Sequence, residues 1–75
     1  MFRFEREKIL PIFLERRITV ADLSRLAKTS HAAAWRAING EAVGATVVSR
    51  IAGALGITAA DTPKFLVRPS APVVF

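Results

Sequence analysis

The chain has 75 residues, enough for one domain around one small core. It has no Cys and a single His, which excludes disulfides, cysteine zinc sites and any metal centre built from several histidines. Eleven Lys and Arg against six Asp and Glu leave a formal charge of +5, a surplus that suits a polyanion such as DNA, RNA or an acidic membrane.

Met1 to Phe4 alternates, with Phe2 and Phe4 on one side, and reads either as a short strand or as a tail. Glu5 to Arg17 reads as a first helix, with Ile9, Leu10, Phe13 and Leu14 recurring at helical steps as its apolar face. Pro11 lacks an N–H and crowds the carbonyl four residues back, so it fits best in a first turn. The regular helix is therefore expected to begin near Lys8, or to kink there. Thr19 to Ala27 reads as a second helix, capped by Thr19 with Asp22 three residues on, and with Leu23, Leu26 and Ala27 as its buried stripe. Lys28 and Thr29 make a turn. Ser30 then caps a third helix from His31 to about Asn39.

Asn39-Gly40 is a helix stop, because both residues tolerate positive φ. After a loop from Glu41 to Gly44, Ala45 to Leu55 reads as a fourth helix with Val47, Val48, Ile51, Ala52 and Leu55 inward. Gly56 ends it, and Thr58 caps a short turn through Asp61. Pro63 is expected to break the regular structure at that point. Lys64 to Arg68 and Ala71 to Phe75 hold β-formers separated by prolines, and read as edge strands or a loose tail. The expected architecture is all-α: a compact bundle of four to five helices in a single domain, 1–75, with short terminal β-strands as an option. Its core is 5–62, and 63–75 is an extended tail or a dimerisation strand.

Thr19 to Gly40 is thus a short helix, a tight turn and a second short helix. Ala27 and Ala34 are small where the two must touch, Ala37 and Ile38 add inward surface, and Leu23 and Ile51 lie beneath. In a small basic chain this is a way to present a helix to the major groove of DNA. The stretch Leu23-Ser-Arg-Leu-Ala-Lys-Thr-Ser-His-Ala-Ala-Ala-Trp-Arg-Ala-Ile-Asn-Gly40 resembles the helix-turn-helix of phage-type repressors, the lambda-repressor and Cro-like class. Ile51-Ala-Gly-Ala-Leu-Gly-Ile57 is similar to the end of that family's following helix, and the likeness covers roughly residues 8 to 62, as in small regulators of phages and mobile elements.

The resemblance implies that Ser30 caps the recognition helix and meets a phosphate. His31 and Ala32 match the first groove-facing positions and Trp35 and Arg36 the next pair, while Asn39 and Gly40 close the helix near the DNA backbone. Three positions depart from the pattern: Lys28 where a turn Gly is common, Val20 where a phosphate-binding Gln is common, and Ile38 in place of a common Glu.

The residues support the same assignment by their own chemistry. Arg36 has the fork that pairs bidentately with guanine, worth about 1–3 kcal/mol of discrimination. His31 can donate to a phosphate or a base edge, and the Ala32 methyl can meet a thymine methyl. Trp35 either stacks on sugars and thymine methyls or belongs to the core or a dimer contact. Arg17, Arg25, Lys28 and Arg50 are the expected phosphate contacts by charge; Ser30 and Asn39 join them through the resemblance, and Thr19 is counted with them.

The expected function is a sequence-specific double-stranded DNA-binding transcriptional regulator, a repressor, acting as a homodimer on paired half-sites. No cofactor and no small-molecule ligand are expected. The rival is a protein-interaction module, such as an antitoxin or anti-repressor of the same fold, suggested by Trp35, the missing Gln at position 20 and the apolar ends. An enzyme is not expected, since there is no nucleophile with a paired base and no G-x-x-x-x-G-K loop. No apolar run approaches the roughly 20 residues of a membrane span, and the start lacks the apolar region of a signal peptide. A cytoplasmic location, with no membrane partner, is expected.

Overall fold

Local chemistry sets most of the helix limits in the computed structural model, which describes residues 1–67. Four α-helices run in order, α1 Arg6–Glu15, α2 Val20–Ala27, α3 His31–Ile38 and α4 Ala45–Ala54, then a 3-10 turn at Thr62–Phe65. There is no sheet among the described residues, only two isolated antiparallel bridges.

The Thr19 cap is reciprocal. Asp22 N–H donates to Thr19 Oγ1 at 3.1 Å, and Thr19 N–H donates to Asp22 Oδ2 at 3.0 Å. Two of the donors that a helix start leaves open are satisfied at once. Ser30 caps α3 by accepting from Ala33 N–H at 3.1 Å, and Asp61 N–H donates to Thr58 Oγ1 at 3.2 Å.

Each helix is followed by a residue with positive φ: Arg17 (52°), Lys28 (55°), Gly40 (76°) and Gly56 (75°). After α2, Lys28 N–H donates to the Arg25 carbonyl at 3.3 Å and Thr29 N–H to the Ser24 carbonyl at 3.0 Å. The same paired bonds recur at Gly40 with Glu41 and at Gly56 with Ile57. This is the Schellman closure, which needs a left-handed residue and most often takes Gly.

α1 departs from expectation. It starts at Arg6 and continues through Pro11, within the span read from Glu5 to Arg17, so of the two expectations for Pro11 the later start near Lys8 does not hold. Pro11 and Glu7 are both exposed, so water can solvate the Glu7 carbonyl that loses its helical donor.

α2 packs on both α3 and α4. Ala27, Ala34 and Ala37 are buried together with Leu23 and Ile51, so small side chains allow the short helices a close approach. Two expected core residues are not there: Leu26 is 59% and Leu14 64% exposed. At about 100° per residue, Leu26 lies roughly 80° from the midline of Leu23 and Ala27, and Leu14 roughly 120° from that of Ile9 and Phe13. Each helix buries only a narrow stripe, and these leucines fall on its shoulder. Val47 is only partly buried.

The N-terminal segment runs between two others. Phe2 and Val43 exchange backbone hydrogen bonds, each 2.8 Å. On the other edge, Glu5 N–H donates to the Phe65 carbonyl and Val67 N–H to the Arg3 carbonyl, both at 2.7 Å. The optional terminal strands thus reduce, among the described residues, to the bridges Phe2–Val43 and Phe4–Leu66. Phe2 and Phe4 do not share one environment, because Phe4 is buried and Phe2 largely exposed. Pro63 opens the 3-10 turn instead of breaking the chain, as suits a position whose N–H would be unpaired anyway. Phe65 and Leu66, expected in an edge strand or tail, pack on the core. Arg68 and the segment from Ala71 to Phe75 lie outside the described residues. No helix among those described is long and apolar enough to cross a membrane.

Candidate functional site

The buried side of α3 defines its outer side. Ala34, Ala37 and Ile38 face the core. At about 100° per residue, His31, Trp35 and Asn39 form one outward row, with Ala32 and Arg36 beside it. All five are exposed. The four residues expected to contact bases therefore share one face. Trp35 is 49% exposed, so it is a surface residue and not part of the core.

The candidate phosphate contacts are also exposed, but most are already engaged. Thr19 and Ser30 use their hydroxyls as caps. Asn39 Nδ2 donates to the Trp35 carbonyl at 2.9 Å. Arg25 pairs with Asp22 one turn earlier on α2. Arg50 Nη1 donates to the Lys28 carbonyl at 2.8 Å. These bonds make Thr19, Arg25, Asn39 and Arg50 supports of the local frame. Lys28 and Arg17 differ. Among the described residues neither side chain has a hydrogen-bond or ion-pair partner, and both sit in the left-handed position after a helix. Lys28 stands at the turn just before α3.

Asp22 is held below the usual carboxylate range. The Thr19 backbone N–H is the largest cause, followed by the Thr19 hydroxyl and the Arg25 guanidinium. It is a capping anion near the start of α2, where a helix favours negative charge.

Arg3 is a site residue that the sequence pattern did not single out. It lines a surface cleft with Arg36, Gly40, Glu41 and Ala42. Two features bring it there. The Phe2–Val43 bonds lay the N-terminal segment beside the loop after α3. A Cβ on Gly40 would stand 3.4 Å from the Phe4 carbonyl oxygen, so the end of α3 approaches that segment closely. Alternation then turns Arg3 outward as Phe4 enters the core. The Phe-Arg-Phe alternation was a usable signal for the outward Arg3, but its neighbour Arg36 depends on a pairing across the chain. Compared with protein-family models, curated proteins and solved structures, the chain gives no match.

Proposed function

We propose that this protein is a sequence-specific double-stranded DNA-binding regulator, a repressor that occupies promoter DNA. In this reading α2 and α3 form a helix-turn-helix of the phage-repressor type, and α3 enters the major groove. The observation that carries it is the gathering of His31, Ala32, Trp35 and Arg36 on one exposed face of a short helix, with exposed Lys28 at its approach. An α-helix with its side chains is about 10–12 Å across, and the major groove, about 12 Å wide, admits one. The formal charge of +5 supplies attraction to phosphate without sequence choice. So few base contacts favour a homodimer on two half-sites.

Selection from a random duplex library, with sizing of the selected complex, tests this directly. A recovered motif with two-fold symmetry and two chains per duplex is expected. Trp35 is the only tryptophan, so its emission should change when the selected duplex is added. No preference over random DNA at low salt ends the proposal.

A second reading has its own observation. Trp35 and Leu26 are large apolar side chains left exposed, which also suits a protein partner. A bound protein that protects Trp35, in a chain without duplex affinity, decides for an interaction module.

A further inference from the structure

Two arginines and one glutamate line the cleft at the end of α3. Arg3 comes from the N-terminal segment and Arg36 from the last turn of α3. Neither forms an ion pair among the described residues, although Glu41 also lines the cleft. Both anchors are firm. The Arg3 carbonyl accepts from Val67 N–H at 2.7 Å, and its neighbour Phe2 is paired on the opposite edge. The Arg36 carbonyl accepts from Glu41 N–H at 2.9 Å in the closure at Gly40. Two arginines against one glutamate leave this cleft a net positive charge, which favours an anion there. Guanidinium forks match the two non-bridging oxygens of a phosphodiester.

We infer that Arg3 and Arg36 form a clamp for one backbone phosphate of duplex DNA. This deepens the regulator reading and rests on it for the identity of the ligand. It moves Arg36 from base reading to positioning, and leaves base discrimination to His31, Ala32 and Trp35. Glu41 tempers the site, so a phosphate without the rest of the duplex binds weakly.

The test uses the full chain and its Arg3→Ala, Arg36→Ala and double variants. Both positions are exposed, so the fold is retained. On random-sequence duplex each single variant should weaken binding on the order of tenfold and lower the salt slope by about 1. The double variant should lose less than the product of the two, and the motif selected by each variant should match the wild-type one. Inorganic phosphate, titrated without DNA, should move the Arg3 and Arg36 side-chain N–H resonances together, and either alanine should abolish both shifts. If Arg36→Ala relaxes one base position while Arg3→Ala changes nothing, the clamp is wrong and the regulator reading stands. If no duplex binds but phosphate moves both arginines, the regulator reading fails and the anion site survives. If phosphate moves neither, the clamp is overturned whatever the duplex does.

Discussion

Arg50 and Lys28, separated by 22 residues, are joined by a hydrogen bond of 2.8 Å from the guanidinium to the carbonyl. The bond ties α4 to the turn between α2 and α3. It supports the carbonyl of a residue held in the left-handed region, where a side chain is strained. Arg50→Ala should therefore lower stability by up to about 1 kcal/mol, a few degrees in Tm. Because the guanidinium is engaged within the fold, the salt slope of duplex binding should change less than in Lys28→Ala. Thermal melts beside salt titrations separate the two, and a full unit of slope lost in Arg50→Ala would make Arg50 a phosphate contact.

Lys28 itself divides stability from binding. It occupies φ 55°, ψ 44°, a conformation costing a side chain about 1–2 kcal/mol, part of which Gly loses again as greater freedom in the unfolded chain. Lys28→Gly should stabilise the fold by somewhat less than about 1 kcal/mol and weaken all duplexes alike. A variant less stable than the wild type in chemical denaturation would show that the Lys28 stem makes compensating contacts.

The start of α2 should respond to acid. Folding holds the Asp22 carboxyl low, chiefly through the Thr19 backbone N–H, and holds that of Asp61 low through Lys64 and then Thr58. The unfolded chain therefore takes up these protons first as the pH falls. Their stabilisation is complete above the ordinary Asp range, near pH 4, and disappears as the pH drops through the folded values. Asp22→Asn should flatten the acid side of a plot of Tm against pH and leave the neutral slope unchanged. An unaltered acid side would show that Asp22 does not contribute.

The helix contact should be intolerant of volume. Ala34 is fully buried on α3, and α3 packs against α2. Ala34→Leu should cost about 1–3 kcal/mol by overpacking, read as a lower urea midpoint. Ala32→Leu, on the exposed side of the same helix, should cost little. Equal losses at both positions would contradict the assignment of faces.

Much of the fold is legible from residues close together in the chain. The caps at Thr19 and Ser30 and the stops at Gly40 and Gly56 involve partners within about five positions, so the sequence contains the whole interaction. The burial of Leu23, Ala34, Ala37 and Ile51 accords with helical periodicity. Leu14 and Leu26 escape that pattern because hydrophobicity marks a candidate for burial, while the width of the covered stripe depends on neighbouring helices. Pro11 escapes it because its cost depends on whether water can reach the Glu7 carbonyl.

Sequence alone determined where most of the helices begin and end and which side of α3 turns outward, since both are set by bonds and periods a turn or so long. Tertiary structure alone decided that Val43 and Leu66 flank the N-terminal segment, that Arg50 reaches Lys28, and that Arg3 comes to rest beside Arg36. Those relations join residues far apart in the chain. Only the packing of the whole core selects them, and no local pattern records it.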